Sequence, residues 1–203
     1  MTITIRTTLR PPLLSALCAL LLTACASALP EHFYALDTDT TANTVASNTA
    51  EFSLAVDRIT LPEIVDRPQI VLSSSDHAVR LMEGQRWAES LRQAVPRVVI
   101  DNLRRQFPRA SIASSSAGTV TAKPTYKLAM DIDRFDSRLG EGVDVVVHWR
   151  LRNATGVLRD KVSTLHENAD SNTFEALVAA HDKALSKLSS DIGGAIAALM
   201  NRH

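Results

Sequence analysis

Two runs of strict alternation, Tyr126 to Asp133 and Val143 to Arg152, constrain the fold of this chain more than any other feature. In the first, Tyr126, Leu128, Met130 and Ile132 fall on one side, and Lys127, Asp131 and Asp133 on the other. In the second, Val143, Val145, Val147, Trp149 and Leu151 oppose Asp144, His148, Arg150 and Arg152. Successive side chains of a strand point to opposite faces, so each run is a strand with one buried and one wet face. Asn153-Ala154-Thr155-Gly156 then reads as a hairpin turn into a weaker strand, Val157 to Leu165. Shorter candidates are Phe33 to Leu36, Phe52 to Val56, and a hairpin of Gln69 to Leu72 and Ala78 to Met82 around Ser73-Ser74-Ser75-Asp76.

A half-buried sheet needs a second layer. Two stretches with helical periodicity supply it. Gly84-Gln85 opens the first, in which Trp87, Leu91, Val95, Val98, Leu103 and Phe107 form an apolar face, with Pro108 ending it. Pro96 falls inside this pattern. It removes a backbone hydrogen bond and clashes with the preceding turn, costing about 3 kcal/mol in an unkinked interior. The expectation is a kink near Arg92 to Val95, or two helices in sequence. The second stretch starts on a capping-box-like Asn172 and Glu175 and carries Phe174, Leu177, Val178, His181, Leu185, Leu188, Ile192, Ile196 and Leu199. Gly193-Gly194 costs roughly 1 kcal/mol per glycine against alanine there, which points to a close backbone approach. Thr38 to Ala50 and Ala113 to Pro124 have little to bury and read as tether and loop. The fold class expected is α+β: an antiparallel or mixed β-sheet with two amphipathic helices packed on one face.

The N-terminus sets the rest. Arg6 and Arg10 precede an apolar run from Leu13 to Leu22, followed by Thr23 and Ala24, which is the pattern of a secretory signal. The run is too short to span a bilayer as a mature helix. Leu22-Thr23-Ala24-Cys25 resembles a bacterial lipobox, in which cleavage between Ala24 and Cys25 leaves a Cys that carries acyl chains. The plainer alternative is an ordinary signal peptide cut after Ala24. Ala26 resembles the residue found there in lipoproteins sorted to the outer membrane. The organisation expected is a leader over 1–24, a lipidated N-terminus with a short strand and tether over 25–50, and a single α+β domain over 51–203.

Of two cysteines, Cys18 lies in the leader and Cys25 is consumed by lipidation. The folded domain then has no thiol for a disulfide, a nucleophile or a metal. The leader also takes two of the 22 Lys and Arg, leaving 20 against 22 Asp and Glu. That slightly acidic balance excludes the basic footprint of a nucleic-acid binder. Six scattered histidines (His32, His77, His148, His166, His181 and His203) form no metal-ligating pair, and no cofactor is expected. There is no Gly-x-Ser-x-Gly elbow and no phosphate loop, so a hydrolase would need a Ser/His/Asp site assembled from distant segments.

One stretch, Ile59-Thr60-Leu61-Pro62-Glu63-Ile64-Val65-Asp66-Arg67-Pro68-Gln69-Ile70-Val71, resembles the signature of the PqiC-type lipoproteins, auxiliary components of ABC transport beside MCE-domain lipid transporters. Asp66 to Val71 match without a gap. Arg86-Trp87-Ala88-Glu89, Asn102-Leu103, Arg134-Phe135-Asp136, His148-Trp149-Arg150-Leu151 and the terminal helix follow in order. Two departures stand out: Glu63-Ile64-Val65 lacks an aromatic residue, and Pro96 interrupts the first helix. The resemblance implies a non-catalytic outer-membrane lipoprotein facing the periplasm. It would dock onto an MCE-domain (PqiB-like) tunnel protein, form a homo-oligomeric ring, and support phospholipid movement and envelope integrity. A pilot or accessory subunit of a secretion or efflux channel is the alternative. Asp66, Arg67, Pro68 and Gln69 are the candidate interface motif, with a local structural role as the rival reading: Pro68 holds Arg67 extended, and Asp66 pairs locally. Trp87 and Trp149 are expected in the core.

Overall fold

The structure is a computed structural model and describes residues 30–38, 51–57, 59–74, 78–115 and 123–201. Ala24, Cys25, the tether residues 39–50, the hairpin tip 75–77 and loop residues 116–122 lie outside these. Strands β1 (His32–Tyr34), β2 (Ser53–Val56), β3 (Gln69–Ser73) and β4 (Val79–Trp87) precede helix α1 (Leu91–Gln106). Strands β5 (Ser111–Ser114), β6 (Tyr126–Arg138), β7 (Gly142–Asn153) and β8 (Gly156–Asn168) lead to α2 (Phe174–Met200). The strands form two sheets, β1-β4-β3 and β5-β2-β6-β7-β8.

The larger sheet is an antiparallel meander of β6, β7 and β8, extended by parallel pairing of β2 with both β6 and β5. Val143, Val145, Val147, Trp149 and Leu151 are all buried, as the alternation requires. The hairpin turn forms as expected: Asn153 Oδ1 accepts from the Thr155 and Gly156 N–H groups at 2.9 and 3.2 Å. In β6 the buried set changes parity. Leu128, Met130 and Ile132 are inside, then Phe135 and Ser137. A β-bulge is responsible: Ile132 pairs with Val147 but Arg134 with Val146, so Asp133 is an extra residue.

Helix α2 packs on β7 and β8 and against α1, which also contacts β5. One continuous core joins both helices to both sheets, including Trp87 and Trp149. The α+β class, with a mixed sheet and two helices, is what the alternation and the two periodic stretches implied.

Four local expectations are corrected. Gly84 to Trp87 is strand, not the start of a helix: β4 continues to Trp87 because both β1 and β3 pair with its end. Helix α1 is one unbroken helix rather than two. Pro96 is its sixth residue, so only the bond to Arg92 is lost, and the proline itself is buried in the apolar face. Ala113 and Ser114, expected to begin a loop, end strand β5, which is held by its parallel pairing with β2. The cap of α2 is Thr173, whose hydroxyl accepts the Ala176 N–H at 3.2 Å, in place of Asn172.

The glycine pair in α2 divides. A Cβ on Gly193 would stand 1.9 Å from Gln106 Oε1 and 3.4 Å from the Phe107 ring, whereas one on Gly194 would meet nothing within 4 Å. The close approach is therefore at Gly193 alone, where α2 crosses the end of α1.

Candidate functional site

The candidate motif lies at the junction of a turn, the smaller sheet and α1. The Pro62 carbonyl accepts the Val65 and Asp66 N–H groups at 3.1 and 3.2 Å, and the Arg67 N–H returns to the Val65 carbonyl at 2.9 Å. This tight path follows from Pro62 and Pro68, which fix φ at two points six residues apart. It sets Asp66 against the first turn of α1, where Arg92 Nε donates to Asp66 Oδ2 at 2.6 Å. The Pro68 carbonyl accepts the Trp87 N–H at 2.8 Å, and Gln69 pairs in register with Arg86. The ladder then slips, with Ile70 opposite Met82, and Gln69 Nε2 reaches Glu83 Oε2 at 3.2 Å.

The two strings singled out in sequence are thus brought together. Each member of Arg86-Trp87-Ala88-Glu89 ties down a different segment. Arg86 pairs with Glu31 at 3.0 Å, the Trp87 N–H binds Pro68, the Ala88 N–H donates to the Tyr34 carbonyl at 2.7 Å, and Glu89 accepts from Arg97 Nε at 3.1 Å. Arg97 in turn donates to the Leu36 carbonyl at 2.8 Å, and the Tyr34 hydroxyl donates to Gln85 Oε1 at 2.7 Å. Asp66, Pro68 and Gln69 are therefore engaged within the fold. Arg67 differs: it is half-buried, and its Nε makes no hydrogen bond among the described residues. Sequence reasoning did not find Arg92 or Arg97, whose partners are distant in the chain.

One serine and one histidine meet in the core. Ser137 Oγ lies 2.8 Å from His181 Nε2. The imidazole is stacked on Phe135 (centroids 4.2 Å apart, planes at 10°) and meets Trp87 edge-on at 5.9 Å. Both Ser137 and His181 are buried, and burial lowers the His181 pKa to about 3, so the ring is neutral. Among the described residues its Nδ1 has no hydrogen-bond partner, hence no carboxylate of these orients it as a triad requires. The pair is enclosed by the Phe135 and Trp87 rings, a geometry of core packing.

On the outward face of the larger sheet the charges form short ladders. Arg138 and His166 both bind Asp144, the latter at 2.7 Å, and His148 and Arg150 both bind Asp160. Burial pushes the Asp144 carboxyl up, but the hydrogen bonds from Arg138 and His166 outweigh it and leave it below the usual range. The hydrogen bond to Asp144, then its charge, raises His166. Among the described residues no three His, Cys, Asp or Glu side chains are grouped to hold a metal ion, and no helix is long and apolar enough to cross a membrane.

Solved structures share this architecture. One, of an uncharacterized protein, superposes with a TM-score of 0.68 at 18% identity, covering 82% of this chain and 99% of that one. Another, protein XCC0632 from Xanthomonas campestris, of the DUF330 family, gives a TM-score of 0.66 at 20% identity, covering 80% and 93%. At such identities the likeness is one of fold. No match was found among curated proteins. The model of the ABC-type transport auxiliary lipoprotein component matches residues 34–193, from the end of β1 to the glycine at the α1–α2 crossing, and the chain belongs to that family.

Proposed function

We propose that this protein is an outer-membrane lipoprotein, acylated at Cys25, that serves an ABC-type lipid-transport system by binding rather than catalysis. Its partner on this reading is an MCE-domain protein reaching across the periplasm, onto whose end a homo-oligomeric ring of these domains docks. The observation that carries the proposal is the family match over residues 34–193 downstream of a lipobox-like string. The sealed Ser137–His181 pair supports a non-catalytic role. A lipid anchor confines the domain to two dimensions and raises its effective concentration at a partner that spans the envelope. Two or more acyl chains hold a protein stably at a bilayer, which one chain alone does not. Within the motif, Asp66 and Gln69 already hold side-chain partners in the fold, and Arg67 is the residue assigned to the subunit or partner contact. Whether phospholipid touches this domain follows from where the ring seats on the tunnel.

The test is cross-linking in intact cells followed by purification from outer-membrane fractions. Recovery of an MCE-domain protein, with loss of that product in Cys25→Ala, is the expected result. Recovery of a secretin or an outer-membrane efflux channel in its place would overturn the partner and favour a pilot subunit.

A further inference from the structure

Strand β8 has a long free edge. From Arg159 to Asn168 it pairs with β7 without a break, and among the described residues no strand lies on its other side. The Ala169 N–H donates to the Glu141 carbonyl at 3.0 Å, one step beyond the Gly142–Asn168 pair. Hydrogen-bonded pairs alternate along an antiparallel ladder, so the odd-numbered residues of this run bond β7. The backbone N–H and C=O groups of Asp160, Val162, Thr164, His166 and Asn168 therefore point away from the sheet, and no described residue bonds them. The side chains of all five are exposed, Val162 by 60%.

The opposite edge of the sheet is closed. In β5 the Ser111 N–H donates to the Phe52 carbonyl, on the β2 side, so the Ile112 carbonyl points outward, and Arg104 Nε occupies it at 2.9 Å. At the start of β8, Arg159 Nη1 occupies the carbonyl of Leu158, a residue the ladder skips. The open run begins after that point.

An antiparallel copy of β8 fits this run best in one register. With Ser163 on the two-fold axis, Val162 faces Thr164 of the second copy, Asp160 faces His166 and Arg159 faces Glu167. Symmetry repeats each contact, so basic and acidic side chains meet at both ends and like charges nowhere. Moving the axis to Asp160 or Lys161 sets like charges against each other. Moving it to Val162 or Leu165 opposes no acid to a base, and moving it to Thr164 leaves only Lys161 against Glu167. Opposite charges across a strand pair stabilise it and like charges destabilise it. On the outward face the Ser163 register also extends ladders already present. Asp160 binds His148 and Arg150, and His166 and Arg138 bind Asp144. Arg150, Asp160, the second copy's His166, its Asp144 and its Arg138 then alternate in sign across the contact.

We propose that β8 pairs with β8 of a second copy, antiparallel about a two-fold axis at Ser163, joining two sheets into one. The contact is isologous, unlike the head-to-tail contacts that close a ring. It requires neither acylation of Cys25 nor an MCE-domain partner.

The experiment uses the full mature lipoprotein in detergent, with Val162→Cys and Thr164→Cys prepared singly and mixed under mild oxidation. In the proposed register 162 lies directly opposite 164, about 5.5 Å between Cα atoms and within disulfide reach. Like-numbered positions are diagonal, about 7–8 Å apart. Peptide mass spectrometry identifies the cysteines joined. The 162–164 bridge is expected about tenfold above the 162–162 and 164–164 bridges. Equal yields of all three, no bridge, or a dominant like-numbered bridge overturns the proposal. Thr164→Pro removes an N–H that β7 does not use, a position where an edge strand tolerates proline. Its thermal midpoint should stay near that of the wild type, while sedimentation shows association weakened about tenfold or more. Unchanged association of a folded Thr164→Pro protein overturns the proposal as well.

Discussion

Gly193 lies against Gln106 so closely that any Cβ at the glycine would stand 1.9 Å from Gln106 Oε1. Gly194, its neighbour in the same helix, faces open space. Gly194→Ala is therefore expected to stabilise the protein by about 1 kcal/mol through helix propensity. Gly193→Ala has the same propensity gain but must displace the buried Gln106 side chain, and overpacking costs typically about 1–3 kcal/mol. Chemical denaturation should place Gly193→Ala below Gly194→Ala by about 1–3 kcal/mol. In a Gln106→Ala background the difference should largely vanish, and a double-mutant cycle measures the coupling.

His181 makes stability depend on pH. Its folded pKa, about 3, lies below the unfolded value because burial disfavours the charged ring. The unfolded chain takes up a proton that the folded one refuses. Stability is then fully present above about pH 6.5 and is lost as pH falls, by up to about 1.4 kcal/mol per unit, until the folded group titrates. His181→Leu should remove this part of the slope between about pH 6 and pH 4, whatever its effect on absolute stability. Denaturant midpoints of both proteins across that range check it. An unchanged slope would mean that the ring reaches solvent.

The outward ladder yields a second titration of opposite sign. Asp144 raises the pKa of His166 by hydrogen bond and by charge, while Arg138 lowers it. In Asp144→Asn both contributions of that residue weaken, and the lowering by Arg138 is opposed only by the hydrogen bond to Asn168. His166 should then titrate at lower pH than in the wild-type protein, as followed by NMR of its ring protons.

Neighbouring motif residues should separate on mutation. The Asp66–Arg92 ion pair joins side chains 25% and 49% exposed, and such pairs contribute about 1 kcal/mol or less. Asp66→Ala is expected to cost that much in thermal or chemical unfolding and to leave assembly intact. Arg67→Glu should fold with a near-normal midpoint and fail in assembly or partner recovery. Normal assembly of Arg67→Glu counts against its role in the contact.

Legibility in the sequence followed the range of the contacts. β6 and β7 stand out because their alternation reports burial of one face, and the Asn153–Gly156 turn because its signal is local. Gly84 to Trp87 was misread because Trp87, Leu91 and Val95 fall four apart, as in a helix, while the strand owes its length to β1, some 50 residues earlier. β5 has a single large apolar residue, Ile112, and exists through its parallel pairing with β2. Pro96 seemed disruptive because its effect depends on where the helix begins, and with Leu91 first it falls near the permissive end. In the candidate site, Asp66 to Gln69 and Arg86 to Glu89 were visible as strings. That they meet through Pro68 and Trp87, that Asp66 holds Arg92, and that Ser137 faces His181 are facts of tertiary packing.

The bulge in β6 has a consequence for how this chain tolerates changes of length. Asp133 is the residue the ladder skips, between Ile132 opposite Val147 and Arg134 opposite Val146. Deleting it would restore an unbroken two-residue rhythm and keep Phe135 and Ser137 pointing inward. Losing the neighbouring Arg134, also exposed, would do the same, whereas losing a residue on either side of this pair would turn part of the strand inside out. The bulge is thus a spare link, a place where the strand can shorten by a codon without exposing its core.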